Sequence, residues 1–316
     1  MKMKLLILAI FQGLAGCGLA CLAFASPAVA NAADVTTSPF NQFPALHVAV
    51  SWPSVKPFPD IAPRAYLVAD LDTGEIISEK NPNAKFPIAS LTKLMTSTVV
   101  FEHVDLAKSI TIDEPMLDPY GSSPYLVAGK RFSLAQLLYP MLVESSNDAA
   151  QAASCFLGNQ ATVKMMNEKA GALNMNSTNY VDAHGLDPKD ASTVSDLFYL
   201  ARYISKNHPK LLEITKGFDV EGIGANPYSK MENKNLVYNL PNFIGGKTGY
   251  IPESNYNGLF IFNLPVANGS SRKIAIIVLG APHLYAGKQN LKSDIISTLD
   301  WLKNYYGKQS PRFVIN

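Results

Sequence analysis

The chain has 316 residues, 47% of them hydrophobic and 16% charged, with 20 Gly, 21 Pro and a net charge of +2. That is enough chain and apolar content for one large or two modest packed domains, which excludes a disordered or fibrous protein. No basic block or aromatic-basic stripe is present, so nucleic acid is not a partner the composition supports. The N-terminus begins with Lys2 and Lys4, then an apolar run at 5–25, then "SPAVANAAD" with small residues at Ala28, Ala30 and Ala32. This reads as an export signal over residues 1–32, cleaved after Ala30 or Ala32. Two readings stay beside it. The run is long enough for a retained membrane anchor, and "LAGC", ending at Cys17, has the form of a bacterial lipoprotein cleavage box. All three place the folded part in the periplasm or on the outer face of the cytoplasmic membrane, with membrane contact at most through the N-terminus. Loss of the leader removes Cys17 and Cys21 and leaves Cys155 in a run of small residues, where a buried structural thiol is expected.

Residues 33–62 are proline-rich and aperiodic, an extended segment leading into a domain at 63–307; residues 308–316 form a short tail. "AYLVADLDTGEIISEK" reads as a β-hairpin turning at Asp72-Thr73-Gly74. "SLTKLMTSTVVFEHV" has Leu91, Leu94, Met95 and Thr98 at helical spacing, with Pro87 suited to the entry. "SLAQLLYPMLVES" is a second amphipathic helix, capped by Ser133 and kinked at Pro140. Helical periodicity recurs in "TVKMMNEKAGALNM" and again over 193–204, with "DAHGLDPKD" as the loop between them. "GLFIFNLPV" and "KIAIIVLGAP" read as adjacent strands joined by a polar turn at 268–272, and a last helix ends at Gly307. Strands at both chain ends and helices in the middle predict an α/β chain of the α+β type. Its antiparallel sheet is flanked by helices and accompanied by an all-helical part.

Three short patterns carry chemistry. Ser90-x-x-Lys93 stands at the start of a helix, Ser145-x-Asn147 at a junction between two helices, and Lys247-Thr248-Gly249 ahead of the last strand pair. The first two are chance-level patterns taken singly, whereas Lys-Thr-Gly is expected in about one such chain in fifteen. Ser90 and Lys93 share a helix face, so the amine reaches the hydroxyl, at a helix N-terminus that favours a developing anion. A lysine normally titrates near about 10.4, so keeping it neutral at pH 7 takes ~4–5 kcal/mol. Burial and a second cation, Lys247, would supply that. The five histidines are scattered, with no HExxH, and no Gly-x-Ser-x-Gly elbow occurs, so neither a metal nor a cofactor is implied.

In this order the three patterns resemble those of the penicillin-binding proteins and serine β-lactamases. The flanks "DLDTGEIISEKNPNAKFPIASLTKLMT", "LLYPMLVESSNDAA" and "GGKTGY" are similar to the D-alanyl-D-alanine carboxypeptidases, over about residues 65–306. The resemblance implies a β-lactamase/DD-peptidase-like fold and a serine peptidase acting on peptidoglycan stem peptides, with β-lactams as covalent inhibitors. It assigns Ser90 as nucleophile, Lys93 as its base, Ser145 as proton relay and Asn147 as the group orienting Lys93 and the substrate amide. Lys247 and Thr248 would hold the terminal carboxylate, Gly249 would let substrate lie against the strand, and the N–H groups of Ser90 and Tyr250 would form the oxyanion hole. No Glu between the second and third patterns has Asn four residues on; Glu253 and Asn257 have the spacing but follow Lys-Thr-Gly. A β-lactamase deacylating base is therefore not expected, and penicillin should leave a lasting adduct. The Arg that often helps hold the carboxylate in this family is not evident, and Lys288 stands near its place. A D,D-endopeptidase cutting cross-links is the alternative activity, and a non-hydrolytic penicillin-binding sensor the alternative of another class.

Overall fold

Long apolar runs that do not alternate predict strands covered on both faces. A computed structural model describes residues 48–51, 56–121, 123–224, 226–228, 230–266, 269–282, 290–308 and 312–315. Residues 48–314 form one unit, with which all that follows is concerned; the other, 1–47 with 315–316, is almost wholly outside the described residues. The export signal, Cys17, most of the proline-rich segment and Lys288 also lie outside them.

In chain order, β1 (Val48–Ser51) precedes the hairpin of β2 (Ala65–Asp70) and β3 (Ile76–Lys80). Next come β4 (Phe86–Pro87), a 3-10 turn at Ala89–Leu91 and α1 (Thr92–His103). The helical part continues through β5 (Ser109–Thr111), β6 (Arg131–Ser133), α2 (Leu134–Tyr139), α3 (Asn147–Leu157) and α4 (Asn159–Ala172). Then follow β7 (Ala191–Ser192), α5 (Val194–Asn207) and α6 (Pro209–Ile214). The chain returns to the sheet with β8 (Phe243–Ile251), β9 (Asn255–Pro265) and β10 (Ser271–Ala281), then α7 (Leu291–Lys308) and β11 (Arg312–Ile315). The expected last helix thus runs one residue past Gly307.

The five-stranded sheet has the order β3-β2-β10-β9-β8 and is antiparallel throughout, so the two chain ends do build it together. Its faces divide the core. Leu67, Leu259, Ile261, Ile277 and Leu279 point toward the helical part, where they join Leu94, Leu138 and Leu197. Val68, Phe260, Phe262, Ile274 and Ile276 point the other way, onto Ile295, Leu299 and Leu302 of α7. Burial on both sides explains the unbroken "GLFIF" and "IAIIVLG" runs, each large side chain contributing about 1.5–3 kcal/mol.

Local signals account for several ends. Ser133 accepts the Gln136 N–H while the Gln136 side chain accepts the Ser133 N–H, a reciprocal cap that starts α2. Thr193 caps α5 through the Asp196 N–H. At the hairpin, the Asp70 carboxylate accepts the N–H groups of Asp72 and Thr73, both at 2.9 Å, and is paired with Arg272. The described end of the proline-rich segment packs on the domain: Phe58 lies against Tyr66 and Trp301, whose indole donates to the Lys56 carbonyl. Among the described residues no helix is long and apolar enough to cross a membrane.

Candidate active site

The nucleophile position is set by a strained turn. Ala89 has φ +50° although it carries a side chain, a conformation costing about 1–2 kcal/mol. It turns the chain from β4 into α1, so that Ser90 sits in the 3-10 turn and Lys93 one turn on, inside α1. Both flanks of this turn are backbone pressed on backbone. A Cβ on Gly249 would lie 2.8 Å from Ser90 N and 3.0 Å from the Ile88 oxygen, and one on Gly185 would lie 2.0 Å from the Ala89 oxygen. Gly249 therefore has a stricter use than making room for substrate: it lets β8 lie directly against the turn that carries Ser90.

Lys93 is 0% exposed. Its Nζ is 2.8 Å from Ser90 Oγ, 2.7 Å from Asn147 Oδ1 and 2.7 Å from the His184 carbonyl oxygen. The amide and peptide oxygens can only accept, so they fix two N–H bonds of the amine. In the neutral amine the third direction is a lone pair, aimed at the Ser90 hydroxyl. Burial brings the Lys93 ammonium down to about 7, against the opposing charges of Asp182 and Asp190. The amine is thus available as a base near neutral pH, chiefly because it is dry. His184 enters through its peptide oxygen.

Asn147 opens α3. Its Oδ1 faces Lys93 and its Nδ2 donates to the Tyr120 carbonyl. The helix preceding it does not merely kink at Pro140 but ends there, passing into a π-helical turn at Pro140–Glu144. Ser145 then takes a left-handed conformation, φ +64°, and Ser146 caps α3 through the Ala149 N–H. This presents Ser145 and Asn147 from the expected junction of two helices. Ser145 is half-buried, and its hydroxyl is not hydrogen-bonded to Lys93.

On the facing edge strand, Lys247 is also 0% exposed, and its Nζ donates to the Thr248 carbonyl at 2.8 Å. Burial, then the charges of Lys93 and Lys234, depress its ammonium well below the ordinary lysine range. The Lys93 charge thus bears on Lys247, while the shift of Lys93 itself comes from burial. Thr248 is held by Asn235, whose Oδ1 accepts the Thr248 N–H at 3.2 Å while its Nδ2 donates to Leu142 and Thr215 oxygens. Tyr250, 46% exposed, pairs its ring with Tyr256 at 4.8 Å.

Several of these supports were not singled out in the sequence. Asn235 and Lys234 sit side by side in "ENKNLVYN", a polar stretch whose only signal is two asparagines flanking a lysine before an apolar strand. Asn257 is structural: its Nδ2 donates to the Pro87 oxygen and its Oδ1 accepts the Gly280 N–H, which fixes the approach to the nucleophile turn. Cys155 is half-buried rather than buried, with Sγ 3.5 Å from Asn159 Oδ1.

Comparison with known proteins places the chain in a family. A family model described as D-alanyl-D-alanine carboxypeptidase matches residues 52–282. D-alanyl-D-alanine carboxypeptidase DacB2 of Mycobacterium tuberculosis is 32% identical over 199 residues, covering 61% of this chain and 68% of that protein. A D-alanyl-D-alanine endopeptidase of Haemophilus influenzae is 34% identical over 203 residues, 63% of this chain and 70% of that one. Among solved structures, penicillin-binding protein D2 of Listeria monocytogenes with cefotaxime bound superposes with a TM-score of 0.65 at 28% identity, over 78% of this chain and 98% of that chain.

Proposed function

The chain belongs to the D-alanyl-D-alanine carboxypeptidase family, and on that premise we propose that it removes the terminal D-Ala from peptidoglycan stem pentapeptides through an acyl-enzyme on Ser90. As a member it is a serine DD-peptidase and a penicillin-binding protein. The observation that carries the mechanism is the buried Lys93 amine, whose two fixed N–H bonds leave its third direction on Ser90 Oγ at 2.8 Å.

The steps follow from that geometry. Ser90 Oγ attacks the carbonyl carbon of the penultimate D-Ala as Lys93 takes the hydroxyl proton. The oxyanion is met by the N–H groups of Ser90 and Tyr250, each such donor worth about 3–4 kcal/mol. The proton passes through Ser145 to the leaving amine, D-Ala departs, and water then cleaves the ester. Lys247, Thr248 and the exposed Lys234 receive the substrate's terminal carboxylate. Lys234 lies close enough to depress Lys247, and it supplies a second cation at that end of the site. The chain works outside the cytoplasmic membrane, exported by its N-terminal segment, which the charged start and apolar run support.

A second reading, cross-link cleavage, is favoured by the endopeptidase relative at 34% identity. Incubation with a D-Ala-D-Ala pentapeptide and assay of free D-Ala separates them. Release that vanishes in Ser90→Ala supports the carboxypeptidase. No release, with loss of cross-linked muropeptides from sacculi, supports the endopeptidase. Neither, with penicillin labelling retained, identifies a sensor and overturns both.

A further inference from the structure

The strained turn at Ala89 needs something beyond its two glycine neighbours to hold it, because close packing limits where the turn can go without orienting it. One buried residue reaches both of its ends. The Asp190 peptide oxygen accepts the Ile88 N–H at 2.9 Å, and its side-chain Oδ2 accepts the Thr92 hydroxyl at 3.0 Å. These contacts lie two residues before and two after Ser90. The other carboxylate oxygen, Oδ1, accepts the N–H groups of Val181 at 2.5 Å and Asp182 at 3.2 Å. That fixes the start of the loop whose His184 oxygen meets Lys93 and whose Gly185 backs Ala89. Asp190 is 0% exposed and both its carboxylate oxygens are engaged.

From this we propose that Asp190 is a positioning residue for acylation, a single clamp that holds the nucleophile turn and the loop supplying Lys93 with its second carbonyl acceptor in one register. The proposal rests on the reading of Ser90 and Lys93 as nucleophile and base. Asp190 touches neither substrate nor the reacting atoms; it acts through Ile88, Thr92 and the loop.

The clamp is also an electrostatic neighbour. Burial and the charge of Asp182 raise the Asp190 carboxyl above the usual carboxylate range, against the hydrogen bonds of Val181, Thr92 and Asp182. Asp182, opposed by its own burial, is held low by His184 and by the N–H groups of Asp187 and Gly185. The charged or titratable groups facing Lys93 and this pair are Asp182, Asp190, His184, Tyr180 and, from β8, Lys247. Both carboxylates favour the Lys93 ammonium. The raised Asp190 carboxyl favours its neutral form, so the clamp acts through hydrogen bonds and shape rather than through charge, and no displacement of the acid limb of acylation is asked of it.

The test is the rate of covalent labelling by a fluorescent penicillin, measured across pH on the full chain, with wild type and Ser90→Ala as controls. If the wild type fails to label, the underlying reading of Ser90 and Lys93 falls, whatever the Asp190 variants do. With the wild type labelling, Asp190→Ala is expected to label about ten- to a hundredfold more slowly, the scale at which a misplacement of up to about 1 Å is felt. Asp190→Asn, which keeps the shape and the acceptor for Val181 and Asp182, is expected to recover most of that rate. Wild-type rates in Asp190→Ala overturn the proposal. So does an Asp190→Asn variant no faster than Asp190→Ala, since the restored shape and acceptor would then do nothing for the rate. Should Asp190→Ala fail to fold, Thr92→Val exchanges the hydroxyl for a methyl and Thr92→Ser keeps it. A slow Val and a recovered Ser support the clamp, and a Val variant at the wild-type rate refutes it.

Discussion

Gly249→Ala tests how closely β8 and the nucleophile turn are fitted. The added Cβ would stand 2.8 Å from Ser90 N, 3.0 Å from the Ile88 oxygen and 3.2 Å from Ala89 Cβ, whereas ordinary contact begins at 3.4 Å. The strand and the turn must separate by about 0.6 Å. Neither yields freely, because β8 is paired to β9 at Gly249 and Asn257, while Gly185 and Asp190 lie behind the turn. Overpacking of this kind costs about 1–3 kcal/mol, and in a domain of this size each kcal/mol lowers the melting temperature by about 2–4 °C. The displacement falls on Ser90 itself, so acylation should slow by about ten- to a hundredfold. The assay pairs a thermal melt with the rate of fluorescent-penicillin labelling. Gly171→Ala is the control: it lies in α4 with nothing within 4 Å of its added Cβ, and should gain about 0.5–1 kcal/mol with unchanged labelling. Labelling of Gly249→Ala within about threefold of wild type would refute the fit, since a displaced nucleophile cannot keep its rate.

Three further outcomes are expected. Acylation of the wild type should rise with pH through a limb near 7, because Lys93 is a base only once its ammonium has lost a proton; a rate flat between about pH 5 and 9 contradicts that assignment. Asn235→Ala strips partners from the Leu142 oxygen and the Thr248 N–H. Each orphaned group costs about 1–3 kcal/mol, so the melt should fall by several degrees, and an unchanged melt counts against the tie. Lys234→Ala should raise KM for a peptide with a free terminal carboxylate by about two- to fivefold, with kcat near wild type and the effect shrinking in high salt; a kcat effect with unchanged KM would remove Lys234 from the carboxylate end.

Much of the frame was legible because its signals are local. The Asp72-Thr73-Gly74 turn, the Ser133 cap and the unbroken runs of β9 and β10 each declare themselves within a few residues. The motif positions were legible too, since Ser90 and Lys93 are one helical turn apart. What holds them was not. Thr92 and Asp190 are 98 positions apart, and Lys93 and His184 are 91 apart, so no spacing encodes either contact. A left-handed Ala89 runs against the preference of its residue type. Of the two causes expected to lower Lys93, burial is the one the fold supplies, and Lys247 is not among the groups that shift it.

The two buried amines hold their protons less tightly than lysines do in water. A guest that brings a carboxylate to Lys247 restores the reason for that ammonium to exist, so docking should draw a proton from the surrounding buffer. The heat of association would then vary with the ionisation enthalpy of the buffer chosen, and affinity would strengthen toward acid while the chemical step weakens. Capture and cleavage would pull in opposite directions along the pH axis, placing the most productive conditions between them.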